Sequence, residues 1–450
     1  MNERLEKEKI SKLLLSLAIP SILAQLTTLI YNLVDRIYIG QLPNSSMAIA
    51  GIGLCTSIVT IITAVTNLFG RGGAPLASIR LGEKNIKEAE RILANCFKSL
   101  LITSIIIIII LNLFGTNILL LFGASENTIG YALEYLNIYS WGTIFAQLSV
   151  GLNYFINAQG FAKYGMFTLL LGGILNIILD PIFIYSFNMG VAGAALATII
   201  SQFVSCVWVL GFFFGKKTTL RLKKEALKFD IPVMKRVIGL GLSPFFMSST
   251  EGILQVSFNR QLLFFGGDIA VSSMTIMMSM SQILSLPMEG IAQATQPIIS
   301  YNYGAKQYDR VKQTISLALK AALTYSIIGV LCMELFPNLF VSMFANDPEL
   351  IELASWMLRV YVFGFIIMGA NSTYQQTYTS LGFGKRSFFF AFYRKIILLI
   401  PLIYLLPNFI ANGVFAVILA EPISDLCTTI TNTFAFKSFI KKNLKMEIKN

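Results

Sequence analysis

The chain has 450 residues, 55% of them hydrophobic and only 13% charged, with a mean hydropathy of +0.70. Soluble domains carry roughly 25% charged residues, so this composition excludes a water-soluble globule and makes lipid the main solvent. Five scattered cysteines and no histidine exclude a disulfide framework, a metal-ligand pattern and imidazole chemistry. Proton-linked steps inside the membrane would fall to carboxylates.

In chain order, the N-terminal MNERLEKEKISK carries both signs of charge and leads into an apolar run too long for a signal-peptide core. It is therefore read as part of the mature protein. A hydrocarbon core of about 30 Å needs about 20 apolar residues at 1.5 Å per residue. Such runs fall near 13–39, 48–70, 97–121, 134–158, 165–187, 190–214, 238–263, 270–299, 317–343, 353–379, 388–407 and 413–436. They predict an all-α integral membrane protein with twelve transmembrane helices and both termini on one side. The polar stretches near 71–95 and 215–236 read as loop-sized connections.

Basic residues orient the chain. Arg4, Lys7, Lys9 and Lys12, the segment Arg71 to Lys98, Lys163, the cluster Lys216–Arg236, Lys306–Lys312, Lys385, Arg386 and the C-terminal lysines share one side. The opposite connections hold no Lys or Arg and carry Glu126, Asp268, Asp347, Glu349 and Glu352. Short basic loops stay cytoplasmic, so both termini are expected in the cytoplasm. The net charge of +12 then reads as topology plus attraction to anionic inner-leaflet lipid, with no nucleic-acid partner.

The chain also repeats itself. At an offset of 222, GAPLASIRLGEK (73–84) matches TQPIISYNYGAK (295–306), pairing Pro75 with Pro297, Ser78 with Ser300 and Gly82 with Gly304. The same offset pairs QGFAK (159–163) with LGFGK (381–385), and Tyr139 and Gly142 with Tyr361 and Gly364. Two six-helix bundles follow: residues 1–215 as an N-terminal lobe for ion coupling, 216–236 as a basic cytoplasmic linker, and 237–450 as a C-terminal lobe. Six spans per half is an even number, so both halves enter the membrane the same way. Their pseudo-two-fold axis lies along the membrane normal, as in parallel-repeat transporters that rock around a central cavity.

A carboxylate at membrane depth costs at least a few kcal/mol and is a functional candidate by default. Asn176 lies near the middle of the fifth span, with Asp180 one turn further out on the same face. Thr198, on the sixth span, reaches a similar depth, and Asp35 lies roughly 13 Å beyond the middle of the first. The set Asp35, Asn176, Asp180 and Thr198 could hold a proton by hydrogen bonding or coordinate a hard cation such as Na⁺ through oxygen. The second half does not repeat it: Asn259, Leu399 and Ile403 stand where Asp35, Asn176 and Asp180 would be. It carries Glu251, Glu289 and Glu421 near the midplane, with Arg394 as a possible partner, while Glu334 and Asp425 lie nearer helix ends and read as structural. Met278 and Gln282, in and beside MTIMMSM (274–280), fit a plastic cavity for varied apolar cations. Lipid contact or core filling is the plainer reading of that methionine run.

The stretches AIPSILAQLTTLIYNLVDRIYIG, NIILDPIFIY, GVAGAALATIISQ and QATQPIISYNYGAK resemble MATE (multidrug and toxic compound extrusion) transporters along nearly the whole length, closest to the MepA-like branch. The resemblance implies twelve helices in two bundles around a cavity, driven by protons or sodium. It ties Asp35, Asn176, Asp180 and Thr198 to ion coupling and Glu251 to a second-lobe acid. Asn371 stands where some sodium-coupled relatives carry an aspartate, which moves weight to the first lobe. The expectation is a monomeric multidrug exporter of the bacterial cell membrane, antiporting organic cations against H⁺ or Na⁺. It is not expected to be an enzyme and needs no cofactor beyond the coupling ion. The alternative is a lipid-linked oligosaccharide flippase, against which stand the twelve spans and the excess of interior acids over bases.

Overall fold

A computed structural model describes residues 2–42, 45–223, 229–344 and 347–444. Within the hydrocarbon a chain must satisfy its own backbone hydrogen bonds, so spans of this length form helices. The described residues contain no strand. The first half gives α1 (Ile10–Gly40), α2 (Ser45–Gly82), α3 (Ile86–Leu121), α4 (Ile129–Ala158), α5 (Ala162–Pro181, continued by a wide turn Ile182–Ser186) and α6 (Gly190–Phe214). In the second half residues 231–304 hold two spans, α7 (231–266) and α8 (268–304). They meet at Gly267, whose φ of +66° and ψ of −164° suit a residue without a Cβ. Next come α9 (Tyr308–Leu335) and α10, which is bent by 45° between Pro348–Val362 and Phe365–Ser380. The last two are α11 (384–405) and α12 (Gly413–Asn443). These are the twelve expected passes, with a short helix Asn2–Lys7 ahead of them.

Two expectations need correction. The polar stretch near 71–95 is not a loop: α2 runs on to Gly82, α3 starts at Ile86, and Asn85 caps it by accepting from the Glu88 N–H. The polar stretch near 215–236 is likewise not all connection, because α7 begins at Ile231, capped by Asp230. Its described part before that is anchored to the first half. Gln159 Oε1 accepts from Thr218 Oγ1, Thr219 N and Leu220 N at 2.9–3.1 Å, and Lys223 pairs with buried Glu90 at 2.8 Å. Polar side chains at the end of a membrane helix satisfy a hydropathy reading of loop while the backbone continues as helix.

The repeat is written in the backbone as well. Lys84 and Lys306 both take left-handed conformations (φ 61° and 57°), as do Gly160 and Gly382 (φ 85° and 89°), each pair separated by the repeat offset. The repeated Gly82 and Gly304 mark where α2 and α8 cross. A Cβ on Gly82 would lie 2.0 Å from the Tyr301 carbonyl oxygen, and one on Gly304 would lie 2.0 Å from that of Ile79. The duplicated motif packs against its own copy.

Packing divides the molecule by depth. One apolar core at the end away from the basic connections is built from the first half alone, including Ile39, Leu119, Leu136 and Val191. Another, including Phe258, Met277, Tyr361 and Val417, is built from the second half alone. At the basic end one core, including Val311, Tyr378, Phe390 and Phe436, again belongs to the second half. Among the described residues another core there is shared: Leu13, Leu93, Phe155 and Phe213 pack with Val237, Ile298 and Tyr301. Two lobes therefore join at the basic end and have separate cores at the other.

Candidate functional site

Polar contacts between the lobes follow the same gradient. Nearest the basic end, Asn302 Nδ2 donates to Leu5 O (3.0 Å) and Arg310 donates to Leu5 O and Glu8 O (3.0 and 2.8 Å). Deeper, Arg71 on α2 pairs with Glu289 on α8 and also donates to Tyr154 Oη at 3.0 Å. Tyr154 donates onward to Asn67 Oδ1 (2.9 Å), and Asn67 Nδ2 reaches Ser248 Oγ on α7 at 3.5 Å. Beyond these residues no polar contact between the lobes is described and the two cores are separate, so they read as the floor of a cleft with α7 and α8 on one side and the first lobe on the other.

Helical spacing tells which side chains rise from that floor. Met278 and Gln282 precede Glu289 by 11 and 7 residues on α8, three and two turns on the same face. Gln282 is exposed and Met278 partly so, with part of its side chain against the second-lobe core. Glu251 follows Ser248 by three residues on α7, again on the shared face, and its side chain is 59% exposed. Glu251, Gln282 and Met278 thus stand on the second-lobe wall, and Glu289 is part of the floor.

Asn371, Arg394 and Glu421, also expected at the cavity, are interior groups instead. Asn371 accepts from Asn432 Nδ2 at 2.8 Å inside the second lobe. Arg394 donates to Glu421 Oε1 (2.6 Å) and Asp425 Oδ1 (2.5 Å), with all three side chains under 10% exposed. The helix loosens to a wider turn over Tyr393–Leu399, a feature that often sits at functional positions. This presents adjacent Arg394 and Lys395 to different neighbours: Arg394 to α12, and Lys395 to α7, where its Nζ donates to Met247 O (2.7 Å) and Glu251 Oε1 (2.5 Å). A buried charge persists only when paired and hydrogen-bonded, which explains why these residues come together.

In the first lobe, Asn176 Nδ2 donates to Asp180 Oδ1 (3.1 Å) and Thr198 Oγ1 (3.4 Å), and Thr198 donates to Ala194 O. Asp180 is fully buried, and its Oδ2 has no hydrogen-bond partner. Asp35 lies close enough for its charge to act on Asp180, Tyr31 and Tyr135. Tyr135 stacks on Tyr139 with ring centroids 5.7 Å apart. Three of the four expected residues are in one hydrogen-bonded set, and the charge of the fourth, Asp35, bears on Asp180 within it. An orphaned carboxylate oxygen of this kind can accept a proton or a cation.

Sequence reasoning missed several members. Lys395 lay inside a predicted span beside the noted Arg394, and two adjacent bases there were the available signal. Arg71 was counted among loop charges, although the glycine-rich run LFGRGGAPLA around it signals close helix packing. Asp425, read as structural, sits in the Arg394 network. No polarity signal marked Tyr135 or Tyr139.

A profile of the MatE family matches residues 20–182 and again 245–405, once in each lobe. The chain belongs to the MatE family. Among its relatives, the multidrug export protein MepA of Staphylococcus haemolyticus (strain JCSC1435) is 27% identical over 93% of this chain and 92% of its own. That of Staphylococcus aureus (strain NCTC 8325 / PS 47) is 25% identical, with 94% of each chain covered. In fold it is similar to an outward-facing multidrug-resistance MATE transporter, with a TM-score of 0.92, 22% identity and 98% of both chains covered. The MATE multidrug transporter DinF-BH superposes with a TM-score of 0.90 at 34% identity over 97% of both chains. This MatE protein is therefore a multi-pass membrane protein of a multidrug-export family, and these relatives are transporters rather than enzymes.

Proposed function

We propose that this MatE protein exports cationic amphipathic compounds in exchange for an inward-moving ion, by alternating access of the cleft between its lobes. The basic end is cytoplasmic, so the described state opens outward. Glu251 and Gln282, with Met278 beside them, offer a wall of one exposed carboxylate, an amide and a soft apolar side chain, which suits cations of varied shape.

The observation that carries the coupling is the Asp180 carboxylate, buried, lacking a partner at Oδ2 and under the influence of Asp35. Two carboxylates in a poorly solvated lobe repel, and an ion taken from outside offsets that repulsion. As built, the Asn176 amide turns its nitrogen to both Asp180 and Thr198. That donor steadies the Asp180 carboxylate at Oδ1, and Oδ2 is left to take H⁺ or, with neighbouring oxygens turned to it, Na⁺. Each inward charge adds about 2.3 kcal/mol per 100 mV of potential. Purified protein in liposomes, with the pH and sodium gradients imposed separately, tests this. Export of a cationic dye is expected to rise with one of the two gradients, which identifies the ion, and a rate unchanged by imposing either gradient would overturn the coupling.

A further inference from the structure

The Lys395–Glu251 pair is lopsided. Lys395 is 2% exposed and Glu251 59% exposed, although their charged atoms are 2.5 Å apart. The cation is inside the second lobe and the anion is on the cleft wall. The neighbouring Arg394, by contrast, is buried together with both of its acids, Glu421 and Asp425. The wall carboxylate thus comes with a counter-ion supplied from behind. Ser248, one turn below Glu251, is the last described polar contact across the lobes, so Glu251 is the first charged group above the floor.

We infer that Lys395 is an affinity-setting residue: a tethered internal cation that shares the Glu251 carboxylate with a cationic substrate and keeps substrate binding weak enough for release. This rests on the cation-export reading above. A substrate cation approaching from the cleft meets a carboxylate whose charge Lys395 has partly neutralised, and it needs to displace or share one ammonium hydrogen bond. Without Lys395 the same carboxylate would be a bare anion in the wall. It would hold monovalent cations tightly and release them slowly. The exposure of Glu251 also makes the test practicable, since removing Lys395 leaves no buried unpaired charge.

The probe is tetraphenylphosphonium, whose dissociation constant is measured on detergent-purified full-length protein. Lys395→Met and Lys395→Gln both remove the charge, the second keeping polarity in case the first packs poorly. Each is expected to bind on the order of tenfold tighter, the size of a charge interaction partly screened by water. The double variant Lys395→Met with Glu251→Gln carries no charge at this position and is expected to lose that gain and bind no tighter than wild type. Neutral Lys395 variants that bind no tighter than wild type would overturn the inference. So would a gain that survives in the double variant, because it would then not run through Glu251. Failure of wild type and all variants to bind the cation is a different result, which removes the export reading itself and the inference with it.

Discussion

Asp180 and Arg394 are both ionisable residues deep in helical lobes, and their surroundings differ in one respect. Arg394 has two carboxylates within 2.6 Å and its own carbonyl held by Ser424. Asp180 has one amide donor and an unpartnered oxygen. Asp425 Oδ2 also lacks a partner, but that carboxylate already faces a guanidinium. A charge-paired acid stabilises a shape, while an acid held by an amide leaves room for an exchangeable ion. Replacing Asp180 with Asn removes the charge that Asp35 opposes and leaves the local packing volume unchanged. Ion-driven dye export is expected to fall about tenfold, within the range of coupling free energies of about 1–3 kcal/mol. Binding of tetraphenylphosphonium to the same variant is expected to stay within about twofold of wild type, as its proposed site is in the other lobe. Rates in liposomes and binding by fluorescence check both halves of the statement, and unchanged export would remove Asp180 from coupling. The set Asn176, Asp180 and Thr198 was legible in sequence because one-turn spacing on α5 and similar depth on α6 constrain it. The split between wall and interior in the second lobe was not. Glu251 and Glu421 are both acids near mid-span, and only the three-dimensional placement of Arg394 and Lys395 separates them.

At the scale of elements, the helices that matter most are those that outrun the bilayer. Hydropathy ended the second span near residue 70, yet α2 continues to Gly82 and α8 to Gly304. The extra turns are where the lobes cross. Repeated motifs announced that these positions were special without revealing that each copy is the other's partner, because an offset in sequence carries no contact information. The crossing makes a sharp prediction. A methyl group on Gly82 would lie 2.0 Å from a backbone carbonyl, which cannot rotate away as a side chain could. Overpacking costs about 1–3 kcal/mol, and about 1.4 kcal/mol is tenfold in a population. Gly82→Ala is therefore expected to part the lobes at the basic end. Spin labels on exposed positions Lys87 and Gln313, at the starts of α3 and α9, report the separation directly. The distance distribution is expected to move to longer values in the variant, and an unchanged distribution would show that the crossing tolerates a Cβ by local adjustment.

For the whole molecule, the cores and the polar contacts rank the two ends. At the basic end the lobes share an apolar core, the glycine crossing, the Arg71–Glu289 pair and the anchored N-terminal segment. Proposed alternation requires these to release together, so their sum cannot be too large. The ion pair is the element best suited to tuning, since its partners are 30% and 35% exposed and remain solvated when separated. A pair of that exposure contributes about 1 kcal/mol at most, which is about fivefold in population. Glu289→Gln keeps the shape, leaves Arg71 bonded to Tyr154, and is expected to shift the protein toward the state open at the basic end. Ser248→Cys, on the floor of the cleft, reads this out in a background with the native cysteines replaced. In wild-type protein a membrane-impermeant thiol reagent should label it faster from the outer face, and in Glu289→Gln labelling from the basic face should rise about fivefold. If labelling from the basic face does not change, the ion pair does not bias the equilibrium, and the burden of closure falls on the glycine crossing and the shared core.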